Sequence, residues 1–238
     1  MNNMQESPAP ENSPIGVPWS LTDMARGVAA MVGSFLIFLL LLRPLVTTED
    51  EGTRVLALIW LGAAIEGLPV YVIWRLSVKK YGVGWDALGF QRPRTRRNVI
   101  LLLATIIGCL VLIAVYVALV TQLDIEFLIP EPVPEGLGGD RATYRLLTAM
   151  AIAGWVPFVE EIFFRGFLFQ GLASRYGMLW GAVFSSGLFA LAHIVIGTMI
   201  PIFLIGLMFA FLHSRTRSIW MPMAAHGTFN LIVLSVSG

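Results

Sequence analysis

The chain has 238 residues, of which 57% are hydrophobic and 13% charged, with a formal net charge of +1. Soluble domains carry about 25% charged residues, and the mean hydropathy of +0.78 points to a protein whose solvent is lipid, which excludes a soluble globular enzyme. The basic residues flank apolar runs and no recognition module is visible, so nucleic-acid binding is excluded too, and the single cysteine, Cys109, admits no intrachain disulfide.

Residues 1–22 read as a disordered tail. The stretch MNNMQESPAPENSPIGVP holds four prolines and no apolar periodicity. It lacks the basic start and small-residue cleavage site of a signal peptide. A membrane-crossing helix needs roughly 20 mostly apolar residues, and seven candidates follow: near 26–46, 55–75, 99–120, 144–170, 178–197, 198–213 and 219–236. Their continuity, without period-two alternation, implies helices and not a barrel. The fold expected is an all-α, polytopic transmembrane bundle of about seven spans, with a cavity between the C-terminal four helices. Residues 23–140 form the N-terminal helices and a basic loop; residues 141–238 form the part that carries the chemistry.

Lysine and arginine set orientation. Loop 75–98 carries Arg75, Lys79, Lys80, Arg92, Arg94, Arg96 and Arg97 and is expected to be cytoplasmic. The acidic loop 121–143 is then outside. With seven spans, Arg175, Arg215 and Arg217 fall inside and the acidic stretch 47–52 outside. The N-terminus is therefore expected in the cytoplasm, and a bacterial inner membrane suits the whole. The partners implied are the lipid bilayer and a peptide or membrane-anchored substrate. Oligomeric state is not legible.

The fourth run contains WVPFVEEIFFRGFLF, Trp155 to Phe169. An acid or arginine at the centre of a membrane helix costs about 2.5–3.5 kcal/mol on insertion scales, so such groups face the protein interior and pair. Glu161 and Arg165 are four apart, on one helix face, acid first, which is the favourable order. They read as a structural pair. Glu160 is turned about 100° from Glu161 and is left as a lone carboxyl, the form a general base takes. The fifth run ends FALAH, setting Phe189 and His193 four apart. The seventh holds HGTFN, setting His226 and Asn230 one turn apart. Carboxylate, imidazoles and amide from three spans can together activate a water and hold the oxyanion it generates. The third histidine, His213, sits with Arg215 and Arg217 at a span end and reads as interfacial.

Glu160-Glu161-x-x-x-Arg165, Phe189-x-x-x-His193 and His226-x-x-x-Asn230, in this order, resemble the three motifs of the CPBP family. Its members are intramembrane proteases that include the type II CAAX prenyl endopeptidases and the Abi bacteriocin-processing proteins. The resemblance covers about residues 140–236; the stretch WDALGFQRPRTRRN is loosely similar to a segment preceding the family core. It implies peptide-bond hydrolysis in a cavity between helices. Glu160 with His193 would activate the water, His226 and Asn230 would bind the oxyanion, and Glu161 and Arg165 would hold the motif helix. Zinc on His193, His226 and Glu160 is one option, since two histidines and a glutamate with a water are a known catalytic set. Activation without metal is the other, and the HExxH pattern is absent.

Depth poses a problem for this reading. At 1.5 Å per residue Glu160 lies about 22 Å along the chain from Arg175, His193 about 27 Å from Arg175, and His226 about 13 Å from Arg217. Straight perpendicular helices would not level them, so tilt, a kink near Pro157 or an interfacial segment at 165–175 is required. Three rival readings stand beside it. Ser186, with His226 as base, would make a serine protease, but GxSxG is missing. Glu66, beside Gly67 and Pro69, could mark a transporter. A catalytically inactive membrane scaffold is the third.

Overall fold

The computed structural model describes residues 16–45, 51–93, 96–130 and 142–237. The expected tail up to residue 15, residues 47–50 of the acidic stretch, and residues 131–141 of the second acidic loop lie outside them. All regular elements among the described residues are helical, as lipid demands of a backbone it cannot hydrogen-bond. α1 is Leu21–Leu45, α2 Glu51–Trp74, α3 Arg96–Gln122, α4 Ala142–Ala149, α5 Val156–Glu161, α6 Gln170–Ala192, α7 Ile196–Thr216 and α8 Trp220–Ser237. Among the described residues, five helical stretches are long and apolar enough to cross a membrane: Leu21–Leu42, Arg54–Lys79, Arg96–Gln122, Ala142–Ala192 and Ile196–Thr216. α8 has 18 residues and is not one of the five.

The fourth and fifth expected spans are one helical stretch, Ala142–Ala192, folded back at Gly177. Gly177 has φ 82° and ψ 165°, a conformation essentially reserved for glycine. Phe164, before the break, meets Phe189, after it, with ring centroids 5.0 Å apart. A straight helix would hold them about 37 Å apart.

Two π-helical turns lie within the stretch, Met150–Trp155 and Ile162–Phe169, on either side of α5. Pro157 bears on the first. It has no N–H to donate, so in the i to i−5 register of a π turn the carbonyl of Ile152 loses its donor. Asn230 of α8 supplies one: its Nδ2 donates to the Ile152 oxygen at 3.0 Å. Gly227, one turn earlier on α8, lets the adjacent Ala153 carbonyl come close, where a Cβ would collide with it. The kink expected near Pro157 is thus a pair of π turns with α8 sealed onto the first.

α1 packs on α2, α6 on α7, and α3 on α7 and α8. The expected tail extends too far. Trp19 is fully buried against Phe167, and its Nε1 donates to the Phe167 carbonyl at 3.0 Å. Arg175 reaches the Trp19 carbonyl from the other side. Asp23, also buried, accepts from Ser20, Tyr81 and Lys80, tying the start of α1 to the end of α2. The bond to Asp23 holds the Lys80 ammonium above its ordinary pKa.

The basic loop after α2 is more than a membrane flank. Its 3₁₀ turn Trp85–Leu88 sinks Leu88 completely into the core. Gln170 Nε2 donates to the Ala87 carbonyl at 3.0 Å, and the Ile219 amide to the Gly89 carbonyl at 2.8 Å. This docking also corrects the reading of His213. It is 2% exposed, packed edge-on to Phe169 and against Gly89, because the loop folds over the end of α7 and shuts it away from the interface.

Candidate active site

Glu161 and Arg165 are both fully buried and form an ion pair, Nη1 to Oε1 at 2.8 Å. A buried guanidinium needs every donor used and its charge balanced. Arg165 Nη2 donates to the Gly206 carbonyl of α7 at 3.3 Å. Its carbon lies 4.3 Å from the centroid of Phe189 and 5.3 Å from that of Phe209, so aromatic faces take the remaining charge. One arginine therefore gathers the π turn Ile162–Phe169, α6 and α7.

The same Oε1 of Glu161 meets His226 Nδ1 at 2.9 Å. A carboxylate only accepts, so Nδ1 carries a hydrogen and the tautomer of His226 is set from outside the site. Its Nε2 then faces Glu160, 3.7 Å from Oε2. That gap is too long for a direct hydrogen bond. Glu160 Oε2 is buried with no hydrogen-bond partner among the described residues.

His193 ends α6. Its Nδ1 lies 2.8 Å from the Phe189 carbonyl, which also only accepts, so the free Nε2 presents a lone pair. Phe189 stands edge-on to both imidazoles, with centroids 4.8 Å from His193 and 5.8 Å from His226. The structure thus brings Glu160, Glu161, Arg165 and His226 into direct contact and sets His193 across Phe189 from His226. Asn230 is one turn along α8, with one amide hydrogen committed to Ile152. The partners that the sequence did not single out are Ile152 and Phe209. Pro157 was the available signal for the first, since a proline in a membrane helix orphans a carbonyl that a neighbour must meet.

Glu160 lines a cavity of about 590 Å³. The cavity was expected between the C-terminal four helices, and only one wall is there: Ile152, Val156, Val159, Phe163, Phe164 and the turn at 191–194. The opposite wall is α1 and α2, from Met31 to Phe38 and from Leu58 to Pro69; Trp155 Nε1, donating to the Ala63 carbonyl, ties α2 to the helix that carries Glu160. Zinc finds no donor set. Among the described residues no three His, Cys, Asp or Glu side chains come together as a metal-holding group, Glu160, His193 and His226 included, and one nitrogen of each histidine is already engaged. Ser186 Oγ, the serine-protease alternative, is buried without a hydrogen-bond partner among the described residues, so no serine–histidine pair forms.

Residues 142–232 match the family model described as type II CAAX prenyl endopeptidase Rce1-like. Over these residues the chain is similar to that family, which supports a CPBP-type relationship for the segment. A relative from Bacillus subtilis (strain 168), named "Putative membrane peptidase YdiL", is 33% identical over 78 residues. That match spans 33% of this chain and 32% of the relative, so the chain aligns with about a third of that protein's length. No solved structure matches. The apolar helices, together with this similarity, indicate an integral membrane protein, and all three motifs lie inside the matched segment.

Proposed function

We propose that this protein is an intramembrane endopeptidase that hydrolyses peptide bonds in membrane-associated proteins or peptides, CAAX-type proteins among them, with a water activated by Glu160. One observation carries the reading: adjacent glutamates have opposite fates. Each keeps a buried Oε2 without a hydrogen-bond partner among the described residues, but Glu161 is tied through Oε1 to Arg165 and His226, while Glu160 has no such tie and is the one of the two that lines the cavity, beside an imidazole. A purely structural acid would be paired, as its neighbour is.

In this mechanism a water donates to Glu160 and to the lone pair of His193 Nε2. As its oxygen attacks the carbonyl carbon, a proton passes to Glu160 and the carbonyl pair moves onto oxygen. His226, whose Nδ1 is held by Glu161, would donate from Nε2 to that oxyanion, and the second amide hydrogen of Asn230 would join it. The intermediate collapses with loss of the C–N bond, and Glu160 returns the proton to the departing amine. Glu161 and Arg165 hold His226 in the donating orientation. In this reading the protein sits in a bacterial inner membrane with its N-terminus inside, an orientation supported by the arginines and lysines of residues 75–97.

Purified protein in detergent, given a fluorogenic peptide with a short membrane-associated tail, is expected to cleave it. Glu160→Gln and His193→Ala are expected to lose cleavage while melting as wild type does. Undiminished cleavage by Glu160→Gln overturns the reading.

A further inference from the structure

The cavity holds a second acid that this hydrolysis does not use. Glu66 of α2 lines it together with Glu160. Glu66 Oε2 is buried and has no hydrogen-bond partner among the described residues. Nothing in the wall can satisfy it: of the residues that line the cavity, none is Lys, Arg or His, and the one other polar side chain, Ser34, donates to the Ala30 carbonyl at 2.8 Å. Arg165 and His226 are engaged by Glu161. Glu66 is also held in place. Trp155, at the end of the first π turn, donates its Nε1 to the Ala63 carbonyl at 2.6 Å and so pins α2 against the helix that carries Glu160. Two acids thus face one apolar chamber from separately anchored helices. A proton path would need a relay of polar groups leading away from Glu66, and the lining residues provide none.

We propose that Glu66 is a specificity-determining residue, receiving a lysine or arginine side chain of the substrate next to the bond cleaved at Glu160. This rests on the hydrolase reading above. The apolar walls suit the methylene stem of such a side chain and the acid suits its head. A cation supplies the charge that the chamber lacks, whereas a neutral side chain leaves the Glu66 oxygen unpaired.

The test compares fluorogenic peptides that carry lysine or its uncharged isostere norleucine at each position flanking the scissile bond. Wild type is expected to favour lysine at least tenfold in kcat/KM at one position, mainly through KM. Glu66→Gln should collapse that ratio, and Glu66→Lys should turn the preference toward glutamate there. No preference for lysine at any position by wild type overturns the proposal without any variant having to fold; so does a ratio unchanged in Glu66→Gln. Fluorescence anisotropy separates this from failure of the hydrolase reading. Glu160→Gln, which does not turn over, should still bind the lysine peptide more tightly than the norleucine peptide, and Glu66→Gln added to it should remove the difference. Equal binding of both peptides to Glu160→Gln likewise refutes the role of Glu66.

Discussion

Replacing Glu161 with alanine probes the arrangement at its centre. The substitution leaves the Arg165 guanidinium fully buried without its counter-charge and removes the acceptor from His226 Nδ1. Breaking a buried pair by deleting one partner costs about 3–5 kcal/mol. Arg165 keeps the Gly206 carbonyl and the Phe189 face, so the lower end applies, about 3 kcal/mol. For a chain of this size each kcal/mol moves Tm by about 2–4 °C, giving a drop of about 6–12 °C. Intrinsic fluorescence from the seven tryptophans reports melting in detergent. Removing both charges, Glu161→Gln with Arg165→Met, should cost less than the sum of the two single changes, since no orphan charge remains. A Glu161→Ala protein melting within about 2 °C of wild type, the size of an ordinary surface substitution, would sink the argument that this pair organises the site.

Four further outcomes follow from other features. Glu160→Gln should lower cleavage by about 10²–10⁴-fold, the range for a lost general base, with Tm equal to or above wild type because an unpartnered buried carboxylate is gone; peptide turnover and melting check it. Gly177→Ala meets no atom within 4 Å, so its cost is the backbone strain alone, about 1–3 kcal/mol, read as a lower Tm. Trp19→Ala should destabilise by about 3–5 kcal/mol, while Trp19→Phe, which keeps the stack on Phe167 but not the bond to its carbonyl, should lose less. Chelator treatment should leave cleavage unchanged, since Glu160, His193 and His226 make no metal-holding group; a loss of turnover restored by added zinc would contradict the metal-free mechanism.

Much of the site was legible because charge in an apolar run is conspicuous. Four-residue spacing makes Glu161 and Arg165 neighbours on any helix, and the same period sets His193 beside Phe189. The bond between Glu161 and His226 was not legible, because it joins residues 65 positions apart and no local rule spans that distance. The break between the fourth and fifth apolar runs was legible as the gap at 171–177, and Gly177 with its positive φ folds the helical stretch Ala142–Ala192 back there; that the two runs remain one helical stretch was not legible. Trp19 was missed because prolines and polar residues before it dominate the composition of the segment, while a single large side chain decides its burial. The wall of the cavity was misplaced for a similar reason: the bond from Trp155 to the Ala63 carbonyl that ties α2 to the helix carrying Glu160 is long-range and polar, invisible to an apolar count.

Leu88 has a bearing on how far the matched segment can be treated as a module. Residues 142–232 end up wrapped around a side chain that they do not own, and the amides of Gln170 and Ile219 reach for carbonyls at Ala87 and Gly89. An excised core would carry an empty socket and two stranded donors at the junction of α6 and α8. Swapping catalytic cores between relatives therefore demands that this dowel travel with them.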